Sequence, residues 1–207
     1  MWLLREEVNM KKIFGFLFIL SIVSFLLLYS YFRETQLYQF SVQLAIFSLG
    51  GFFTWQKDLK TTLAYIGFPG GIKTVLVYTV AGFACLFLGM LIIGAVSHLL
   101  GFNDQNKVAD KIKDMKWYVL LMAIFMAPIS EELFFRGYLT NKYGPIISAI
   151  IFGIVHIGYG SIIEVVGVAF VGLVFGYIFK KSGSITPGII IHIGYNFISI
   201  LAIRFLL

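Results

Sequence analysis

Apolar runs of about twenty residues recur along this chain, each long enough to cross roughly 30 Å of hydrocarbon as helix. Backbone N–H and C=O groups cannot stay unpaired in lipid, so such runs commit the chain to helices that satisfy themselves. Of 207 residues, 59% are hydrophobic and 13% charged. With a mean hydropathy of +0.93, this is too apolar for a domain whose surface faces water. The expected fold class is all-α: a polytopic integral membrane protein with about seven transmembrane helices, forming a single domain over residues 1–207. The spans are expected near 13–32, 38–55, 74–99, 117–140, 145–159, 162–179 and 186–206. The first follows Lys11 and Lys12, has an apolar core too long for a signal peptide and lacks a small-residue cleavage site, so it reads as an anchor.

The net charge of +6 does not point to nucleic acid, because the lysines lie in short loops beside apolar runs, where anionic lipid and topology account for them. Lys11, Lys12, Lys57, Lys60, Lys73, Lys142, Lys180 and Lys181 fall on the face of the N-terminus, which is therefore expected in the cytoplasm. The polar segment 103–116 opposes that bias and reads as a short interfacial helix. Cys85, alone in an apolar run, reads as packing. The chain has one cysteine, so no internal disulfide forms.

The segment PISEELFFRG at 128–137 breaks the apolar pattern. Each charge at membrane depth costs roughly 2.5 to 3.5 kcal/mol, so Glu131, Glu132 and Arg136 need compensation. Glu132 and Arg136 are four apart on one helix face and can pair. Glu131 is turned about 100° away and is left over. Two histidines can reach it: His156 in the next span, and His192, which shares a helix face with Asn196. Measured from the turns at 141–145 and 180–188, Glu131, His156, Asn196 and His192 lie about 15, 18, 14 and 8 Å deep. That matching predicts one cavity, opening to the face that carries those turns, the cytoplasmic one. Glu164 and His98 read as interfacial. Gly172 and Gly176 form a small-xxx-small packing pair, and SGSITPG reads as a helix start capped by Ser184 or Thr186, with Pro187 in the first turn.

A glutamate beside a histidine can take a proton from water, and side-chain N–H groups of His192 and Asn196 can bind the oxygen that turns negative when the water attacks a carbonyl. Such parts suit amide hydrolysis. They also suit interhelical hydrogen bonding or a proton-coupled carrier, although the first three spans hold almost no ionisable residues. No metal is required by the sequence, which has neither HExxH nor clustered cysteines; zinc on Glu131, His156 and His192 is the alternative.

Three motifs in order, EELFFR at 131–136, FGIVH at 152–156 and HIGYN at 192–196, resemble the EExxxR, FxxxH and HxxxN motifs of the CAAX protease and bacteriocin-processing family, the CPBP or Abi group with its type II CAAX prenyl endopeptidases. The likeness spans about residues 124–200. It implies an intramembrane glutamate-type peptidase without a cofactor, with Glu131 and His156 activating water, His192 and Asn196 forming the oxyanion site, and Glu132 and Arg136 in support. The implied partners are membrane lipids and a membrane-proximal or lipidated, CAAX-like peptide. The family also implies an alternative, a non-catalytic bacteriocin immunity or membrane interaction protein.

Overall fold

The computed structural model describes residues 2–206, and its ordered elements are all helical. They are α1 (Trp2–Phe32), α2 (Tyr38–Thr54), α3 (Leu59–Tyr65), α4 (Ile72–Leu99), α5 (Asn106–Asp114), α6 (Trp117–Glu132), α7 (Asn141–Val155), α8 (Ile162–Ser182) and α9 (Thr186–Phe205). Five stretches are long and apolar enough to cross a membrane: Asn9–Thr35, Ile72–Leu99, Trp117–Tyr159, Ile162–Ser182 and Thr186–Phe205. The third has 43 residues, about 65 Å as straight helix and twice the hydrocarbon thickness. It is broken at Gly144 (φ 85°, ψ 168°), a left-handed-side backbone that glycine tolerates, just before Pro145. The chain is an all-α polytopic membrane protein, with lipid-facing positions such as Phe16, Ile19, Leu88 and Ile92 exposed.

Helices α4, α7, α8 and α9 meet over a core of Leu86, Phe135, Phe152, Phe175 and Ile191. Close approach of α8 to α7 depends on its glycines. A Cβ on Gly172 would lie 3.1 Å from Ala149 Cα, and one on Gly176 would lie 2.8 Å from Pro145 Cβ. Cys85 departs from its expected packing role, because its position on α4 points outward.

Hydrogen bonds define two ends of the bundle. At one, Ile185 N–H donates to Ile66 O (3.0 Å), Lys180 Nζ to Asn141 Oδ1 (3.3 Å), and Gly67 lies so close to the Gly183 carbonyl that no side chain fits. This is the α3 end. At the other, Gln36 Nε2 donates to Asp114 O (3.2 Å), Lys116 N–H to Gln36 Oε1 (3.0 Å), Lys107 Nζ to Gly160 O (3.2 Å), and Arg204 to Lys113 O. This is the α5 end, and the interfacial helix expected within 103–116 is α5 itself. The early part of α1 belongs to the α3 end, since Phe14 packs on Phe47 and Trp55.

Asp104 ties the α5 end to α8. Its carboxylate accepts from Ser161 Oγ (2.8 Å) and Ile162 N–H (2.6 Å), while Ser161 Oγ caps Glu164 N–H at 3.0 Å. Desolvation opposes ionisation most, yet these donors, with Lys107 nearby, together hold the Asp104 carboxyl below its ordinary 3.8. A folded value below the unfolded one stabilises the fold above 3.8, and that contribution is lost as pH falls through the lowered value. Hydrogen exchange, as protection factors, is expected to show the Ile162 amide shielded at neutral pH in the wild type but opened by Asp104→Asn. In the wild type the same opening is expected only in acid below 3.8.

Candidate active site

Helix α6 carries Pro128 one turn before the acids and then widens into a π-helical stretch, Leu133–Thr140, that holds Arg136. Proline removes a ladder donor, and π-turns inside helices recur at functional sites. Ser130 Oγ donates to Gln43 Oε1 (2.5 Å), which fixes α6 to α2 directly before Glu131. The two neighbouring glutamates then meet different surroundings.

Glu132 and Arg136 are buried at 0% and 1% exposure and pair at 3.1 Å. The guanidinium carbon sits 4.5 Å from the Phe152 ring centre and 5.1 Å from that of Phe175, and Nη2 donates to Gly172 O at 3.4 Å. Desolvated contacts of a cation with ring faces contribute about 2 kcal/mol. Alignment within the pair leaves Glu132 Oε2, Arg136 Nε and Arg136 Nη1 without a hydrogen bond, so charge and ring faces hold it.

Glu132 also organises α9. Its Oε1 lies 3.2 Å from His192 Nδ1; a carboxylate only accepts, so Nδ1 carries the proton and Nε2 turns to Glu131, whose Oε2 is 3.8 Å away. One turn earlier on the same face of α9, a Cβ at Gly188 would lie 2.7 Å from Glu132 Oε2, so a residue without a side chain is needed there. The helix start is as the sequence suggests in part: Thr186 N–H donates to Ser184 Oγ (3.2 Å), with Pro187 in the first turn, but Thr186 caps nothing.

His156 opens the short 3₁₀ turn His156–Tyr159 at the end of α7. Its Nδ1 lies 2.8 Å from Phe152 O and donates there, which leaves Nε2 with a lone pair. Asn196 Nδ2 donates to Ala123 O (2.9 Å), using one of its two N–H bonds. Glu131, His156, His192 and Asn196 all line one cavity of ≈ 700 Å³, with Gln43, Tyr159, Glu164 and Tyr195. Glu131 makes its close contact with His192, and no hydrogen bond or ion pair joins it to His156. Among the described residues no three His, Cys, Asp or Glu side chains are arranged to hold a metal ion, the trio Glu131, His156 and His192 included.

The cavity reaches the α5 end of the bundle. There it is lined by Gln36, Lys111, Asp114 and Gly158, whereas the turns at 141–145 and 180–188 lie at the α3 end with the start of α1. Depth measured from a turn places residues along a helix but does not say from which end they are reached. Glu164, half-buried in the first turn of α8, lines the cavity as well. Gly188 was missed although its spacing of four from His192 was visible. His98 is exposed at the end of α4, as its place beside a loop suggests.

The family model described as type II CAAX prenyl endopeptidase Rce1-like matches residues 113–198. The similarity to that family lies in this C-terminal segment, under half of the chain. The matched stretch begins at the end of α5 and runs to the last turns of α9, so the Rce1-like segment contains the Glu132–Arg136 pair and all four candidate residues. No curated protein and no solved structure matches the chain.

Breaking a buried ion pair costs more than replacing both partners, because a lone buried charge remains. Arg136→Met is expected to destabilise the folded protein by about 3–5 kcal/mol, and adding Glu132→Gln should restore part of that loss. Unfolding in detergent, followed by circular dichroism, checks it.

Proposed function

We propose that this protein is a membrane-embedded endopeptidase of the glutamate type, acting on a membrane-proximal or lipidated peptide of CAAX-like kind. The observation that carries the reading is the convergence of Glu131, His156, His192 and Asn196 on one cavity within the Rce1-like segment. A cavity of ≈ 700 Å³ lies within the range that accepts a ligand of several residues or a lipidated tail.

Water held between Glu131 and the lone pair of His156 Nε2 gives a proton to Glu131 as its oxygen bonds to the substrate carbonyl carbon. The carbonyl electrons move onto oxygen, and the free N–H bond of Asn196 meets that charge. His192 Nε2 joins it as a donor when the ring carries both protons, with Nδ1 kept on Glu132. Each such donor is worth on the order of 100-fold to 1000-fold. When the tetrahedral centre collapses, the C–N bond breaks and Glu131 returns its proton to the leaving nitrogen, which restores the carboxylate. Arg136 pairs with Glu132, whose Oε1 holds the imidazole in register.

A panel of prenylated and unprenylated peptides incubated with purified protein in nanodiscs tests the proposal. Cleavage is expected to fall at least ~100-fold in Glu131→Gln and in His156→Ala with folding retained. Equal residual cleavage in wild type and both variants would remove the enzyme and leave the polar set as a binding network, as an immunity or interaction protein would use it.

A further inference from the structure

One acid in the cavity wall has no part in that chemistry. Glu164 stands in the first turn of α8, a helix whose start is fixed by Ser161 and Asp104, so its side chain is presented from a tethered backbone. Its carboxylate makes no hydrogen bond and no ion pair with any described residue; the titratable groups it meets through space are His156, Tyr159 and Tyr195. Glu132 has Arg136 and His192, Glu131 has His192, and Asp104 accepts from Ser161 and Ile162, while Asp114 is exposed at the end of α5. The ammonium of Lys111 does not serve Glu164, because it is engaged by the Gly158 carbonyl and lies over the Tyr159 ring.

Charge in the cavity follows the same sign. Asp114, Glu131 and Glu164 line it against Lys111 alone, three carboxylates to one ammonium, within a chain whose net charge is +6. A partly desolvated carboxylate without a partner is costly, and a ligand that supplies a cation offsets that cost, whereas a neutral or acidic group leaves it in place. We propose that Glu164 is a specificity-determining residue that selects peptides carrying a cation, a lysine or arginine side chain or a free amino group, close to the bond presented to Glu131 and His156. The inference rests on the endopeptidase reading for what is cut, but not for what is bound.

The test uses the full-length protein in nanodiscs and three peptides identical except for Lys, Gln or Glu at one position near the scissile bond, scanned along the sequence. The wild type is expected to favour the Lys peptide over the Gln peptide by ~10-fold or more in kcat/KM, mainly through KM, as a charge-assisted contact predicts. In Glu164→Gln that ratio should fall to near one, and in Glu164→Lys the Glu peptide should become the better substrate. Affinities of the same peptides with a reduced, uncleavable bond, read by fluorescence anisotropy, should show the same order. Ratios unchanged by Glu164→Gln in both assays overturn the proposal and leave the peptidase intact. Absence of cleavage with a charge-dependent binding order that Glu164 controls would retain it while removing the peptidase. A fall in kcat of equal size for all three peptides would mean that Glu164 acts through His156 instead, and would also overturn it.

Discussion

A single buried ion pair, Glu132 with Arg136, governs where the polar residues of this membrane protein can stand. Neither charge reaches water, and the guanidinium is packed between the rings of Phe152 and Phe175 from α7 and α8. Through Glu132 Oε1 the pair reaches α9 and sets the ring of His192. Three helices are thus brought into register around one charge, and the glycines at 172 and 188 are the positions where backbone must come close enough to permit it. Glu131, one residue away, is released from structural duty by the same arrangement.

Around this centre the α5 end is built as a rim. Helix α5 is held to the turn after α7 by Lys107 and Lys111, to the α1–α2 connection by Gln36 and to α9 by Arg204. These bonds go largely to backbone carbonyls, so the rim is tied without consuming the carboxylates that face the cavity. The border is polar at its edge and apolar toward α6 and α9. Ile112 and Met115 supply the apolar side by packing on the cluster of Leu120, Ile124 and Ile200.

Much of this was legible in the residues alone. Apart from α1, which begins at Trp2 rather than near residue 13, apolar run length gave the long helices to within a few positions, because lipid leaves a spanning backbone few alternatives; five stretches, against seven expected spans, are long and apolar enough to cross a membrane. The i, i+4 spacings of Glu132 with Arg136 and His192 with Asn196 placed each pair on one face. What spacing could not convey was direction between helices. It did not show that His192 would face both glutamates, that Asn196 would spend one N–H on Ala123, or that the cavity would reach the α5 end. For Glu164, nearness to a helix end says how deep the residue lies, not that it lines the cavity. The π-helical stretch has no sequence signature beyond Pro128, and it shifts every side chain after Leu133 relative to a regular helix.

The central claim is that Glu132, held by Arg136, fixes the proton of His192 on Nδ1 so that Nε2 faces Glu131. Nitrogen-15 NMR of histidine-labelled protein, assigned with His156→Gln and His98→Gln variants, reads that proton directly. The account predicts a protonated, strongly hydrogen-bonded Nδ1 at His192 that is lost or weakened in Glu132→Gln. A neutral ring with its proton on Nε2, unchanged by that substitution, would contradict it.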